Sequence, residues 1–118
     1  MRKSIPKAVR KKVYERYGGR CAYCGCKLTM AEMQVDHVAA VYTHEGDAGL
    51  NDEDNLMPAC RACNFYKSTF CIEDFRKRIE MIPERLEESF IYRLAKKYGL
   101  VEQCKLPVRF LFEEEEQE

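Results

Sequence analysis

The sequence predicts a small α+β domain stapled by a metal ion, and three observations carry that prediction. The chain has 118 residues and a mass of 13.9 kDa, the size of one domain whose modest core a staple would help. Two cysteine pairs, Cys21-x-x-Cys24 and Cys60-x-x-Cys63, recur at one spacing. Apolar residues recur at helical intervals towards both ends of the chain, with short strand-prone runs between them.

The first element is a helix starting near Pro6, with Ser4 as its cap and Gly18-Gly19 as its stop. Ile5, Val9, Val13 and Tyr17 form its apolar stripe, while Lys7, Arg10, Lys11, Lys12 and Arg16 cover the other faces. Cys21 to Cys26 reads as a tight turn in which Gly25 suits the backbone bend. Met33–Val38 and Asn55–Ala59 read as short strands, separated by a polar, acidic loop over Tyr42–Asp54. A helix runs from Arg61 towards Lys67. Ile72, Phe75, Ile79 and Ile82 mark another, which Pro83 interrupts or restarts. Leu86, Phe90, Ile91, Leu94 and Tyr98 continue the stripe until Gly99 ends it. Leu106, Val108, Phe110 and Phe112 alternate with their neighbours and predict a last strand. One domain over residues 1–112 follows, with 113–118 as a disordered acidic tail.

Twenty basic and twenty acidic residues cancel, but they are unevenly placed. Residues 1–20 hold eight bases against one acid, residues 21–59 one base against seven acids, and the last six residues five Glu and no base. The neutral total therefore does not exclude nucleic acid as a partner, because the basic arm is local. No apolar run approaches the roughly 18 residues needed to span a membrane, and no export signal follows Met1. These features predict a cytoplasmic protein, acting in the host cytoplasm if phage-encoded.

Seven cysteines without an export signal favour metal binding over disulfides. Cys21, Cys24, Cys60 and Cys63 offer four thiolates, which complete a tetrahedral zinc site and leave no open position, so the site is structural. Cys26, Cys71 and Cys104 are left over and read as small buried hydrophobes or free thiols. Residues 25–59 separate the two pairs, more than the roughly 15–20 of an ordinary zinc ribbon. This insert carries Asp36-His37, and Asn64 directly follows the fourth cysteine. A carboxylate and an amide oxygen are hard ligands suited to a magnesium-type ion, and a neutral imidazole beside them can take a proton from water.

The run Cys-x-x-Cys, Val-Asp-His-Val, Asp-Asn-Leu and Cys-x-x-Cys-Asn-x-x-Lys, from Cys21 to Lys67, resembles the HNH endonuclease family in its zinc-stapled branch. That resemblance implies a ββα-metal, treble-clef-like core flanked by the basic helix and the later helices. It implies Asp36 and Asn64 as ligands of one Mg²⁺ or Mn²⁺, His37 as general base, Asn55 as the brace of the loop that aims His37, and zinc on the four cysteines. The implied activity is metal-dependent cleavage or nicking of DNA, whether double-stranded, branched or nicked. Lys7, Arg10, Lys11, Lys12, Arg16 and Lys67 are the expected contacts to its backbone. Adjacent strand residues point to opposite faces, so bringing Asp36 and His37 to one site calls for a twist, a strand end or a bulge.

Two other metal chemistries are excluded by motif. A zinc deaminase needs His-x-Glu and Pro-Cys-x-x-Cys, but Val38-Ala39 follow His37 and Ala59 separates Pro58 from Cys60. No His-Glu-x-x-His of a metalloprotease occurs. The competing class is a zinc-stapled nucleic-acid-binding or protein-interaction module without catalysis, which differs by showing no metal-dependent strand cleavage.

Overall fold

A computed structural model describes residues 5–38 and 55–116; His44 and the acidic loop lie outside them. The chain divides into two compact units, one running to Cys71 and resuming at Arg109, the other spanning Ile72–Val108.

In the first unit, helix α1 (Lys7–Arg16) begins after the extended Pro6, whose missing N–H costs nothing at a helix start. The chain then turns through Gly18 and Gly19, both at positive φ. A side chain at Gly19 would meet the tip of Tyr14 at 2.8 Å, and the positive φ there favours glycine. Val13 is fully buried and Tyr17 nearly so, as the stripe predicts. Two arginines of this helix are spent on the fold. Arg10 Nη2 donates to the Met30 and Met33 carbonyls at 2.7 and 2.5 Å, and Arg16 Nη1 donates to the Leu56 carbonyl at 3.0 Å.

Strands β1 (Gln34–His37) and β2 (Leu56–Ala59) pair antiparallel, and helix α2 (Arg61–Lys67) follows β2 after Cys60 alone. This is a ββα unit. Ala22 N donates to the Pro58 carbonyl at 2.8 Å, which ties the first cysteine turn to β2.

The predicted last strand is not formed. Residues 101–110 are irregular and Leu111–Glu116 is helix α6. Pro107 cannot donate to a ladder, and Val108 N donates to the Glu80 carboxylate instead. Further on, Leu111 N and Phe112 N donate to the Tyr23 and Ala22 carbonyls at 3.1 and 2.9 Å. Phe110 is buried with its ring edge-on to Tyr23 at 5.4 Å and stacked on Phe112 at 5.9 Å. Glu113 to Glu116, expected to be disordered, are thus helical. Two of these acids stand in the first turn, where the helix dipole favours them, and Glu113 accepts the Phe110 N–H at 3.0 Å.

The second unit contains α3 (Ile72–Glu80), α4 (Ile82–Leu86) and α5 (Phe90–Lys97). Pro83 lies in the first turn of α4 and so restarts the helix. Ser89 caps α5 by accepting from Tyr92 N, and Gly99 turns the chain at φ 71°. Residues 101–108 run back along these helices. Gln103 donates to the Pro83 carbonyl at 2.7 Å, and Arg76 donates to the Val108 carbonyl at 2.7 Å.

Candidate metal centre and active site

The two cysteine pairs converge. The sulfurs of Cys21, Cys24, Cys60 and Cys63 all lie within 4.8 Å of one another, the one such metal-ligand group among the described residues. Cys24 and Cys60 sulfurs are 3.8 Å apart, matching the spacing of about 3.8 Å that follows from four sulfurs held tetrahedrally at about 2.3 Å from one zinc ion. Each pair is built by a local turn that aims an N–H at its first sulfur. Tyr23 N donates to Cys21 Sγ at 3.4 Å, and Cys63 N donates to Cys60 Sγ at 3.4 Å at the start of α2. Gly25, at φ 84°, supplies the bend after the first pair.

The facing thiols affect one another's ionisation in opposite directions. A hydrogen bond from Cys63 holds the Cys21 thiol down to about 4, against the opposing effect of burial. Cys63, the donor of that bond, is pushed up by it and then by burial. Sulfurs this close ionise together only around a positive ion, so the set fits structural zinc. Of the three remaining cysteines none is buried: Cys26, Cys71 and Cys104 are exposed free thiols, and Cys26 contacts Cys24 and Cys60 through sulfur at the rim of the cluster.

The second polar cluster lies between β1 and α2. Gln34 and Asp36, two apart on β1, share one face of the strand, and each meets a side chain of α2. Asn64 Nδ2 donates to Gln34 Oε1 at 2.5 Å, and Lys67 Nζ lies 3.0 Å from Asp36 Oδ2. Tyr23 completes this cluster from inside the first cysteine turn, donating its hydroxyl to Asp36 Oδ2 at 2.5 Å. Burial raises the Tyr23 phenol well above its ordinary value, with the Asp36 charge adding to the effect, so Tyr23 stays a donor.

Lys67 corrects the sequence reading. Its side chain is 0% exposed and cannot reach a DNA phosphate from a surface; besides Asp36 it donates to the His37 carbonyl at 3.0 Å. Arg10 and Arg16 each give one terminal guanidinium nitrogen to main-chain carbonyls. Lys7, Lys11 and Lys12 remain exposed on α1.

His37 closes β1 opposite Leu56, and the register runs without a bulge from Gln34↔Ala59 to His37↔Leu56. A strand end, one of the three devices expected, is present at His37. Asn55 stands just across from it, its carbonyl accepting from Val38 N at 2.9 Å. Tyr23 and Gln34 were not singled out by the sequence. A buried tyrosine needs a partner for its hydroxyl, and the spacings Gln34–Asp36 and Asn64–Lys67 are those of one strand face and one helix face, signals that could have revealed both.

A stapled ββα unit with this order of residues has a match. Residues 21–70 fit the model of the HNH endonuclease family. Over that stretch the chain is similar to HNH endonucleases. The chain is also similar to a CRISPR-associated endonuclease Cas9 of Corynebacterium diphtheriae, at 32% identity over 50 residues, which cover 42% of this chain and 4% of that protein. No solved structure matches the chain. The four-cysteine cluster agrees with the zinc-stapled branch of HNH proteins, and the β1–β2–α2 unit with its ββα-metal core. Among the described residues no helix is long and apolar enough to cross a membrane.

Proposed function

We propose that this chain is a DNA endonuclease or nickase of the HNH type, dependent on one Mg²⁺ or Mn²⁺. The observation that supports the reading is that Asn64 and Lys67 of α2 meet Gln34 and Asp36, the β1 residues that precede His37 in the chain, inside the segment that matches the family. Asp36 uses Oδ2, and Asn64 its Nδ2, in bonds to the protein. The other carboxylate oxygen and the amide oxygen are a hard donor pair that fits a cation which keeps most of its waters.

Asp36 and Asn64 would hold a divalent ion, which would supply stabilisation of the negative charge that develops during cleavage. The protein's own residues do the rest. His37 takes the proton of the attacking water at its imidazole, and the Lys67 bond to its carbonyl together with the Val38–Asn55 bond fixes the backbone on either side. Lys7, Lys11 and Lys12 of α1 hold the DNA backbone without reading its sequence.

Supercoiled, linear and branched DNA incubated with Mg²⁺ or Mn²⁺ test this reading. His37→Ala should keep its fold and its DNA affinity and lose about a hundredfold or more in cleavage rate. Asp36→Ala should lose cleavage in a way that raised metal partly restores. Binding without cutting under either metal would overturn the reading in favour of a non-catalytic module.

A further inference from the structure

Asp36 presents a conflict between the fold and the proposed reaction. Its side chain is 7% exposed, and a carboxylate buried to that degree stays ionised only with a partner. The fold supplies two, the Tyr23 hydroxyl at 2.5 Å and the Lys67 ammonium at 3.0 Å, both on Oδ2. Lys67 is the last residue of α2, where the helix dipole favours a cation. Its second bond, to the His37 carbonyl at 3.0 Å, anchors it to the residue beside Asp36. A positive charge is therefore built in where the divalent ion is to bind.

We propose that Lys67 is a tethered counter-ion of Asp36 that competes with the divalent cation, so that this lysine sets how tightly the site takes metal. The inference rests on the reading of Asp36 as a metal ligand. A carboxylate shared by an ammonium and a divalent ion brings two cations within a few ångströms of each other in a water-poor setting, where their repulsion is strong. Metal entry therefore requires Lys67 to loosen its hold on Asp36 Oδ2. The bond to the His37 carbonyl keeps the ammonium near, ready to return when the cation leaves. Without metal, Lys67 keeps the buried carboxylate neutralised and β1 docked on α2. A lysine serving packing alone would leave metal affinity unchanged on removal.

The test uses the zinc-loaded full chain and Mn²⁺, with free Mn²⁺ followed by electron paramagnetic resonance and the melting temperature read in parallel. The proteins are the parent, Lys67→Met, Lys67→Gln (which keeps a donor for the His37 carbonyl), Asp36→Asn, and the double variant of Asp36→Asn with Lys67→Met. Binding at the site is the part lost in Asp36→Asn, which discounts Mn²⁺ held by surface acids. Both Lys67 variants should bind Mn²⁺ there about tenfold more tightly than the parent, or better. Mn²⁺ should also restore much of the melting temperature they lose, and none of it in the double variant. Where a Lys67 variant is unfolded without metal, Mn²⁺ should fold it. Equal or weaker Asp36-dependent binding in the Lys67 variants, or variants that stay unfolded in Mn²⁺, overturns the lysine's role alone. Mn²⁺ binding that is the same in all five proteins removes Asp36 from the metal site and overturns the underlying reading as well.

Discussion

Two polar clusters share the ββα segment and several of the same elements, yet they are built on opposite principles. The cysteine cluster gathers four soft donors from two local turns, each turn carrying its own N–H to sulfur bond. Four thiolates leave nothing open for a substrate, so the cluster holds structure. The β1–α2 cluster gathers hard donors from residues far apart in the chain, and an ammonium already stands among them. Tyr23 joins the two, sitting between Cys21 and Cys24 while its hydroxyl holds Asp36. The difference teaches a division of labour. The cysteine turns fix the backbone, and that backbone places the hydroxyl that holds the Asp36 carboxylate.

The largest effect should come from breaking the first cluster. Cys21→Ser or Cys63→Ser removes a ligand from the closed site, and because zinc binding contributes directly to folding the first unit should lose its cooperative melt. Metal analysis of the purified parent should return one zinc per chain. A folded variant without zinc would show that the knuckle does not need its metal.

Next comes the aromatic clip that covers the knuckle. Phe110→Ala empties a buried site against Tyr23 and Phe112 and should cost about 3–5 kcal/mol in denaturant unfolding. A loss under about 1 kcal/mol would mean that the C-terminal segment is not part of the folded first unit.

Tyr23→Phe tests the link between the clusters. It keeps the ring and removes the hydroxyl bond to the Asp36 carboxylate, for a loss of about 1.5–3 kcal/mol, while zinc content stays at the parental level. Zinc lost along with stability would show that the two clusters are one unit. The raised Tyr23 pKa also sets a pH dependence with a defined sign. Above the ordinary tyrosine value of 10.0 the unfolded chain releases this proton and the folded chain keeps it, so stability should fall as pH rises past that point in the parent and fall less in Tyr23→Phe.

The smallest effect concerns surface charge. Exchanging Lys7, Lys11 and Lys12 together for Gln should weaken DNA binding evenly across sequences and flatten its salt dependence, with little change in melting temperature. An unchanged salt slope would place the DNA contacts elsewhere.

Much of the ordering along the chain was legible because it rests on local chemistry. Glycines at turns, Pro83 at a helix start and apolar intervals of three and four depend on a few neighbouring residues, and helices α1 to α5 and both strands stand where these signals put them. The alternation over Leu106–Phe112 failed for a non-local reason. A period of two makes a strand only beside a partner edge, and here Glu80, Ala22 and Tyr23 claimed the N–H groups first. Lys67 was misread because a lysine's burial depends on what lies opposite it, and Asp36 is 31 positions away in the sequence.

By itself the sequence specified the four cysteines that converge and the family that the ββα segment resembles. Cysteines two residues apart need only a turn to point both sulfurs one way, and the order of Asp36, His37, Asn55 and Asn64 is a property of the chain alone. Only the tertiary structure decided what surrounds Asp36. Docking α2 on β1 buried Lys67 against it, and packing the first cysteine turn brought the Tyr23 hydroxyl to the same oxygen. The physical reason is that spacing specifies which donors an ion can have, whereas the charge a carboxylate meets depends on distances through space, which pairing and packing fix.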